Sequence, residues 1–256
     1  MECIQSSCLV PSKCVAIAQP TFLPWMGWFD LADQVDLFII LDDVPFSKQS
    51  WQQRNRIKTR NGLELLIVPV KTAGRLGQRI LDCELADPLF RVKMIKSLQS
   101  NYSKTRFFDA IFEDFEATLT SATSTNFLVD LNCMLISWMA IKLGIATPMV
   151  RASTLVASGE RGEHVAAICT SVGANRYISP AGAEQYLIED KHSFDKRSIE
   201  IKIQVYEHPE YTQQFAPFIS YASALDLIFN LGPSAGEVMR SGRRAPRAIL
   251  SRSQDI

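Results

Sequence analysis

Apolar positions recur along this chain with two periods, and the switches between them predict its elements. Cys14–Val15–Ala16–Ile17–Ala18 is continuously apolar and reads as a strand buried on both faces. Trp25, Trp28, Phe29, Ala32 and Val35 follow at the three-to-four spacing of one helix face. Leu37–Phe38–Ile39–Ile40–Leu41 is a second buried strand that ends in Asp42–Asp43. Ile57 to Val70 reads as a hairpin, with Asn61–Gly62 as its turn and Leu65, Leu66, Ile67 and Val68 on the return, so a mixed sheet is expected. From Pro88 to Leu143 the period is helical in three segments, near Leu89–Leu98, Phe107–Leu119 and Phe127–Leu143, and Gly144 stops the last. Strands resume near Met149–Arg151, Arg176–Ser179 and Glu200–Tyr206, with helices near Glu163–Ser171, Ala183–Ile188 and Ala222–Leu231.

This order predicts an α/β fold with a mixed, mainly parallel sheet and a helical insertion over about 88–143. The expected organisation is a single domain over 13–232, an extension over 1–12, and a mobile basic tail over 240–256. Arg243, Arg244, Arg247 and Arg252 dominate that tail, with little apolar content. The length of 256 residues, nearly half of them apolar, suffices for a large core. Lys plus Arg equals Asp plus Glu at 27 each, so no whole-protein field drives the chain onto nucleic acid. Cys3, Cys8, Cys14, Cys83, Cys133 and Cys169 are scattered without a CxxC pair, which predicts reduced thiols and a cytoplasmic location. No stretch approaches the apolar length of a membrane span, so no membrane insertion is expected.

The candidate chemistry collects at predicted strand ends. Gln19–Pro20–Thr21–Phe22–Leu23–Pro24–Trp25–Met26–Gly27–Trp28–Phe29 occupies the first strand-to-helix connection, where backbone N–H groups at the helix start favour an anion or oxyanion. Prolines and tryptophans also build rigid packing loops, but such a loop has no need of the buried-type Gln19. Of the paired Asp42–Asp43, one faces the crevice, and Asp42 is the candidate general base; a capping role is the alternative. Lys48, Trp51, Arg54, Asn55, Arg56 and Lys58 form a basic, aromatic-bearing segment suited to phosphates and a stacked base, although a charged strand edge has the same composition.

Tyr206–Glu207–His208–Pro209–Glu210–Tyr211–Thr212–Gln213 follows a strand and joins an imidazole to two phenols and an amide. His208 is the candidate acid or base, with His164 on a helix and His192 in a charged loop. Ser179 opens a strand-to-helix turn of small residues that a ligand can approach, and Asp226 and Asn230 share a helix face in a structural role. The chain has no Walker A run, GxGxxG loop, GxSxG elbow or zinc-spaced Cys/His set, so the ATPase, dehydrogenase and serine-hydrolase readings lack support and no metal ligands are assigned.

The run Gln19–Pro20–x–Phe22–Leu23–Pro24–Trp25–x–Gly27–Trp28–Phe29, followed by Asp42–Asp43, Trp51, Arg54–Asn55–Arg56–Ile57, Val68–Pro69–Val70, Tyr177–Ile178–Ser179, His208–Pro209–x–Tyr211–x–Gln213 and Asp226–Leu227–Ile228–Phe229–Asn230–x–Gly232, resembles the WbqC-like family. Trp28 departs from the tyrosine common in that family and supplies an indole N–H in place of a hydroxyl. The resemblance implies a place in O-antigen or related bacterial polysaccharide biosynthesis, with lipopolysaccharide as the end product. It also implies transfer of an acyl or aminoacyl group, glycyl in the family's case, to the amine of a nucleotide-linked amino sugar.

The implied partners are a nucleotide-sugar substrate and an acyl or aminoacyl donor such as an aminoacyl-tRNA; no cofactor or oligomeric state follows. Arg54, Arg56 and Lys58 would hold the diphosphate, Trp51 would stack on the base, and Asp42 or His208 would take the amine proton. Gln19, Trp25, Gly27, Lys48, Asn55, Ser179, Tyr211 and Gln213 complete the expected binding set. The first loop is also similar to a HIGH-type loop without its histidines, which implies a sheet of nucleotidyltransferase or Rossmann-like type. Nucleotidyl or phosphoryl transfer, and non-catalytic binding in a polysaccharide pathway, are the alternatives.

Overall fold

Apolar strands with a side-chain period of two build the centre of the molecule, described by a computed structural model over residues 12–121 and 125–249. Strand β1 (Cys14–Ala18) leads through the proline-rich loop to helix α1 (Met26–Asp33) and strand β2 (Leu37–Ile40). An antiparallel hairpin of β3 (Arg54–Thr59) and β4 (Gly62–Ile67) follows, with Gly62 at φ 108°, a conformation open to glycine. Three helices come next, α2 (Phe90–Tyr102), α3 (Phe108–Ser121) and α4 (Leu128–Lys142). The second half runs β5 (Met149–Arg151), α5 (Arg161–Ser171), β6 (Arg176–Ser179), α6 (Glu184–Glu189), α7 (Lys191–Asp195) and β7 (Glu200–Tyr206). It ends with α8 (Ala224–Leu231), α9 (Ala235–Ser241) and β8 (Arg243–Ala248).

The main sheet has six strands in the order β5-β2-β1-β6-β7-β8. β8 runs antiparallel to β7, and the other neighbours are parallel. The fold is therefore α/β and Rossmann-like with a mostly parallel, mixed sheet. The mixing comes from β8, because the hairpin expected to supply it forms a two-stranded sheet of its own. Alternate residues of the strands feed two cores. Ala16, Phe38, Ile40 and Ile178 pack against α1 to α4, α8 and α9, while Val15, Ile17, Ile39, Tyr177 and Ile203 pack against α5 and its neighbours. Strand order reverses at β1, with β2 on one side and β6 on the other, which opens a crevice beyond the carboxyl end of β1.

The basic stretch from Arg240, expected to be mobile, is ordered as far as 249; residues 250–256, with Arg252, and most of the expected extension over 1–12 lie outside the described residues. Strand β8 pairs Arg243 with Tyr206 and Arg247 with Ile203. Arg243 Nε donates to Asp30 at 2.8 Å, and Arg240 grips Asp33 through two hydrogen bonds of 2.8 Å. Asp30 is fully buried, so these arginines neutralise charge under α1. Among the described residues no helix is long and apolar enough to cross a membrane.

Candidate functional site

The loop that leaves β1 is shaped by amides. Asn55, on β3, donates from Nδ2 to the carbonyls of Phe22 (3.0 Å) and Leu23 (2.8 Å). Asn132, on α4, donates to those of Pro20 (2.9 Å) and Gln52 (2.8 Å). Both asparagines are buried, so each satisfies carbonyls that the turn leaves without a sheet partner, and Leu23 is held at φ 44°. The Phe22 amide donates to the carbonyl of Trp51, tying the loop to the segment before β3.

From that loop Trp25 turns its indole across the first turn of α1. A Cβ on Gly27 would lie 2.2 Å from the ring, so only glycine leaves room there. The indole stacks on His208 at a centroid distance of 6.2 Å, meets Tyr206 edge-on at 5.5 Å and lies tilted against Tyr221 at 5.4 Å. Behind it, Trp28 is buried against Phe29 and Phe38 and donates from Nε1 to the carbonyl of Gln19 at 3.3 Å. Strand β3 brings Arg56 over the exposed ring of Trp51, with its guanidinium carbon 5.0 Å from the centroid.

Thr21, Trp25, Trp28, Trp51, Asn55, Arg56 and Tyr221 enclose a cavity of about 320 Å³ at the switch point of the sheet. Trp51 is 46% exposed and Tyr221 57%, so two of its aromatic walls are open to an incoming ring. Arg56 makes no ion pair among the described residues and is available to an anion. Stacked faces beside a guanidinium suit a flat or pyranose ring that carries a negative group.

The structure brings Trp25, Trp51, Asn55 and Arg56 together at this cavity, with Gly27 beneath Trp25. The other expected site residues lie elsewhere. Asp42 is fully buried, and its carboxylate accepts from Arg151 Nε (2.6 Å), Ser153 N (2.9 Å) and Ser153 Oγ (2.7 Å). It clamps the ends of β2 and β5 together and is not placed to take a proton from a ligand. Asp43, its neighbour, points the other way and meets His164 Nε2 at 2.9 Å. His208 has both ring nitrogens engaged. Nδ1 lies 3.0 Å from the Pro209 carbonyl, and Nε2 accepts from the Tyr221 amide at 3.1 Å, which sets the tautomer with the proton on Nδ1. Burial holds this imidazole below its ordinary pKa, against the hydrogen bond to Pro209, so it is neutral and serves to position Tyr221, whose φ is 64°.

Tyr211 and Gln213 belong to a buried knot. Asp226, fully buried on α8, accepts from the hydroxyls of Tyr102 (2.7 Å) and Tyr211 (2.6 Å) and from Gln213 Nε2 (3.0 Å). Burial raises the Asp226 carboxyl above its usual range, against the hydrogen bonds from the two tyrosines and Gln213. Lys58 is buried as well and donates to the Pro217 carbonyl at 2.7 Å, so it does not hold a diphosphate. Lys48 lines a separate hollow with Phe46 and Arg75. Ser179 is fully buried at the end of β6, and Arg54 pairs with Ile67 in the hairpin without lining the cavity. Gln19, expected to be buried, is exposed and accepts from Gln52 Nε2 at 2.8 Å.

Sequence reasoning missed Thr21, Trp28 and Tyr221 as cavity walls. Thr21 and Trp28 stand inside the loop motif, whereas Tyr221 carries no signal of its own because it arrives from a loop nearly two hundred residues away. Among the described residues the cavity lining supplies no carboxylate and no imidazole.

Two comparisons bear on this arrangement. A model of the WbqC-like protein family matches residues 19–238, which span every wall of the cavity. The uncharacterized protein Rv1507c of Mycobacterium tuberculosis is 33% identical over 233 residues, covering 91% of this chain and all of that relative.

Proposed function

The chain belongs to the WbqC-like protein family, and from that premise we propose that the tryptophan-lined cavity binds a nucleotide-activated amino sugar and holds its amine for acyl or aminoacyl transfer in bacterial polysaccharide assembly. The observation that supports this reading is the pairing of open aromatic faces, Trp51 and Tyr221, with the unpaired guanidinium of Arg56. A base or sugar ring stacks on the former while phosphate meets the latter. In the transfer the amine nitrogen attacks the acyl carbonyl, the new C–N bond forms, and the donor's ester or thioester bond breaks. The amine proton leaves with the departing group or to water. Asp42 and His208 take no part, since their polar atoms already have protein partners.

A second reading, binding without catalysis, is favoured by that same engagement of Asp42 and His208 and by a cavity lining without acid or base. Nucleotidyl transfer has less support, because Pro24, Trp25 and Trp28 stand where that chemistry uses imidazoles.

Tryptophan fluorescence titrated with UDP-, CDP- and dTDP-linked amino sugars tests the binding common to both readings. Quenching is expected, and its loss in Arg56→Ala and Trp51→Ala places the ligand in this cavity. No quenching with any of the three sugars overturns both readings. Mass spectrometry after addition of acyl-CoA or aminoacyl-tRNA then separates them. An N-acylated sugar supports transfer, and tight binding without product supports the binding protein.

A further inference from the structure

A second cleft, of about 500 Å³, lies between the α2–α3 connection, the loop after β7 and the end of α8. It shares no lining residue with the tryptophan cavity. The Asp226 knot separates the two, since Gln213 reaches into the knot while also forming the wall of this cleft.

Two kinds of group converge there. Lys104 and Arg106 are exposed side chains on the α2–α3 connection, and neither makes an ion pair among the described residues. Arg106 rests on the ring of Phe107, 5.2 Å from its centroid, which steadies the guanidinium without neutralising it. Among the described residues no aspartate or glutamate lines the cleft. Helix α3 starts one residue beyond Phe107, so its positive end lies at the same rim, partly offset by Asp109 in its first turn.

The second kind is acceptor oxygen. Gln214 Oε1 is buried with no hydrogen-bond partner among the described residues, an arrangement proteins seldom leave unmet. Asn230 donates from Nδ2 to the carbonyl of Asp226 at 2.7 Å, which fixes its amide and leaves its side-chain oxygen as an acceptor at the cleft. Gln213 is fully engaged, donating to Asp226 and Ile219 and accepting from the Ile219 amide, so it forms a fixed wall.

Cations without partners call for an anion, and acceptor oxygens call for hydroxyl donors. We propose that this cleft binds the phosphorylated end of a small polyol, a sugar phosphate or the ribose phosphate of a nucleotide. Lys104 and Arg106 hold the phosphate, and Gln214 and Asn230 accept from hydroxyls of the ring. The site is distinct from the tryptophan cavity and does not depend on what that cavity binds.

Isothermal titration of the full chain with ribose 5-phosphate, UDP, ribose and inorganic phosphate tests the assignment. Ribose 5-phosphate is expected to bind more tightly than ribose or phosphate alone, and comparison with UDP, made in Arg56→Ala so that the tryptophan cavity does not contribute, distinguishes a sugar phosphate from a nucleotide. Lys104→Ala/Arg106→Ala removes two charge-assisted contacts from exposed positions that the fold does not need, and at least about tenfold in affinity is expected to go with them. Gln214→Leu is expected to weaken ribose 5-phosphate while leaving inorganic phosphate unchanged. In the Arg56→Ala background, where the tryptophan cavity is weakened, both effects are expected to persist. Absence of binding at millimolar concentration, or equal affinity in the double variant, overturns the proposal. So does a loss that appears in Arg56→Ala instead, because it assigns the ligand to the other cavity.

Discussion

Replacing Gly27 with alanine is expected to collapse one wall of the tryptophan cavity while leaving every group that meets a ligand in the chain. The new Cβ would lie 2.2 Å from Cη2, 2.4 Å from Cζ2 and 2.6 Å from Cζ3 of Trp25. Non-bonded carbons settle about 3.5–4.0 Å apart, so the indole must retreat by roughly 1.3–1.8 Å at its nearest atom. Its retreat is obstructed by Tyr206, His208 and Tyr221, with centroids 5.5, 6.2 and 5.4 Å away. Aromatic pairs contribute about 0.5–1.5 kcal/mol each beyond burial, so disturbing two of them costs roughly 1–3 kcal/mol. Alanine's better helix propensity returns about 0.5–1 kcal/mol. The net expectation is a change in stability between about zero and a loss of about 2.5 kcal/mol. Nucleotide-sugar affinity should fall by at least about tenfold, because the displaced ring fills the space the ligand takes. Gly182→Ala is the matched control, since a Cβ there meets nothing within 4 Å. Thermal unfolding and fluorescence titration of both variants give the two readouts. Wild-type affinity in Gly27→Ala would mean that the pose of Trp25 does not shape the cavity.

Asp226→Leu leaves two tyrosine hydroxyls and the Gln213 amide buried without their acceptor. It is expected to cost about 3–5 kcal/mol in urea unfolding, with Asp226→Asn costing about half as much because one oxygen remains. Asp42→Asn, which weakens the clamp to Arg151 and Ser153, should lower stability by about 1–3 kcal/mol. Its nucleotide-sugar affinity, measured in the cold where the variant is folded, should match wild type; a specific loss of binding would restore Asp42 to the site. The third expectation concerns pH. Burial opposes ionisation of Asp33, but the hydrogen bonds from Arg240 and Arg243 outweigh it, and its carboxyl titrates below the usual range. A folded pKa below the unfolded one means that the stabilisation is complete above the unfolded value, near pH 4, and is lost as pH falls through the folded value. Arg240→Met/Arg243→Met should therefore be less stable than wild type at neutral pH, with the gap narrowing in acid. Parallel urea curves across that range would contradict the assignment.

Much of the fold is legible in the residues alone. Strands β1, β5, β6 and β7 coincide with the stretches their apolar patterns predict, and helices α2, α3 and α4 lie where three-to-four spacing places them. Local chemistry also marks the loop after β1 and singles out Trp25, Trp51, Asn55 and Arg56. β8 escaped this reading because an edge strand buries little and shows no apolar alternation; its Arg243 is held by Asp30 and Asp33, more than two hundred positions earlier.

Tertiary structure decided the fate of the polar groups. Asp42 and Asp43 are neighbours of the same type, yet one meets Arg151 and the other His164, because successive side chains point to opposite sides of an extended chain. Tyr211, Gln213 and Lys58 look like binding residues in a sequence, but in the folded chain the half-buried Tyr211 and Gln213 are spent on Asp226 and Lys58 is buried with its ammonium on the Pro217 carbonyl. Hydrophobic periodicity is set by near neighbours, and the chain declares it locally. Which partner satisfies a hydroxyl, a carboxylate or an imidazole depends on residues beyond the local window, from 13 to 124 positions away, and only their packing reveals whether any donor or acceptor is left for a ligand.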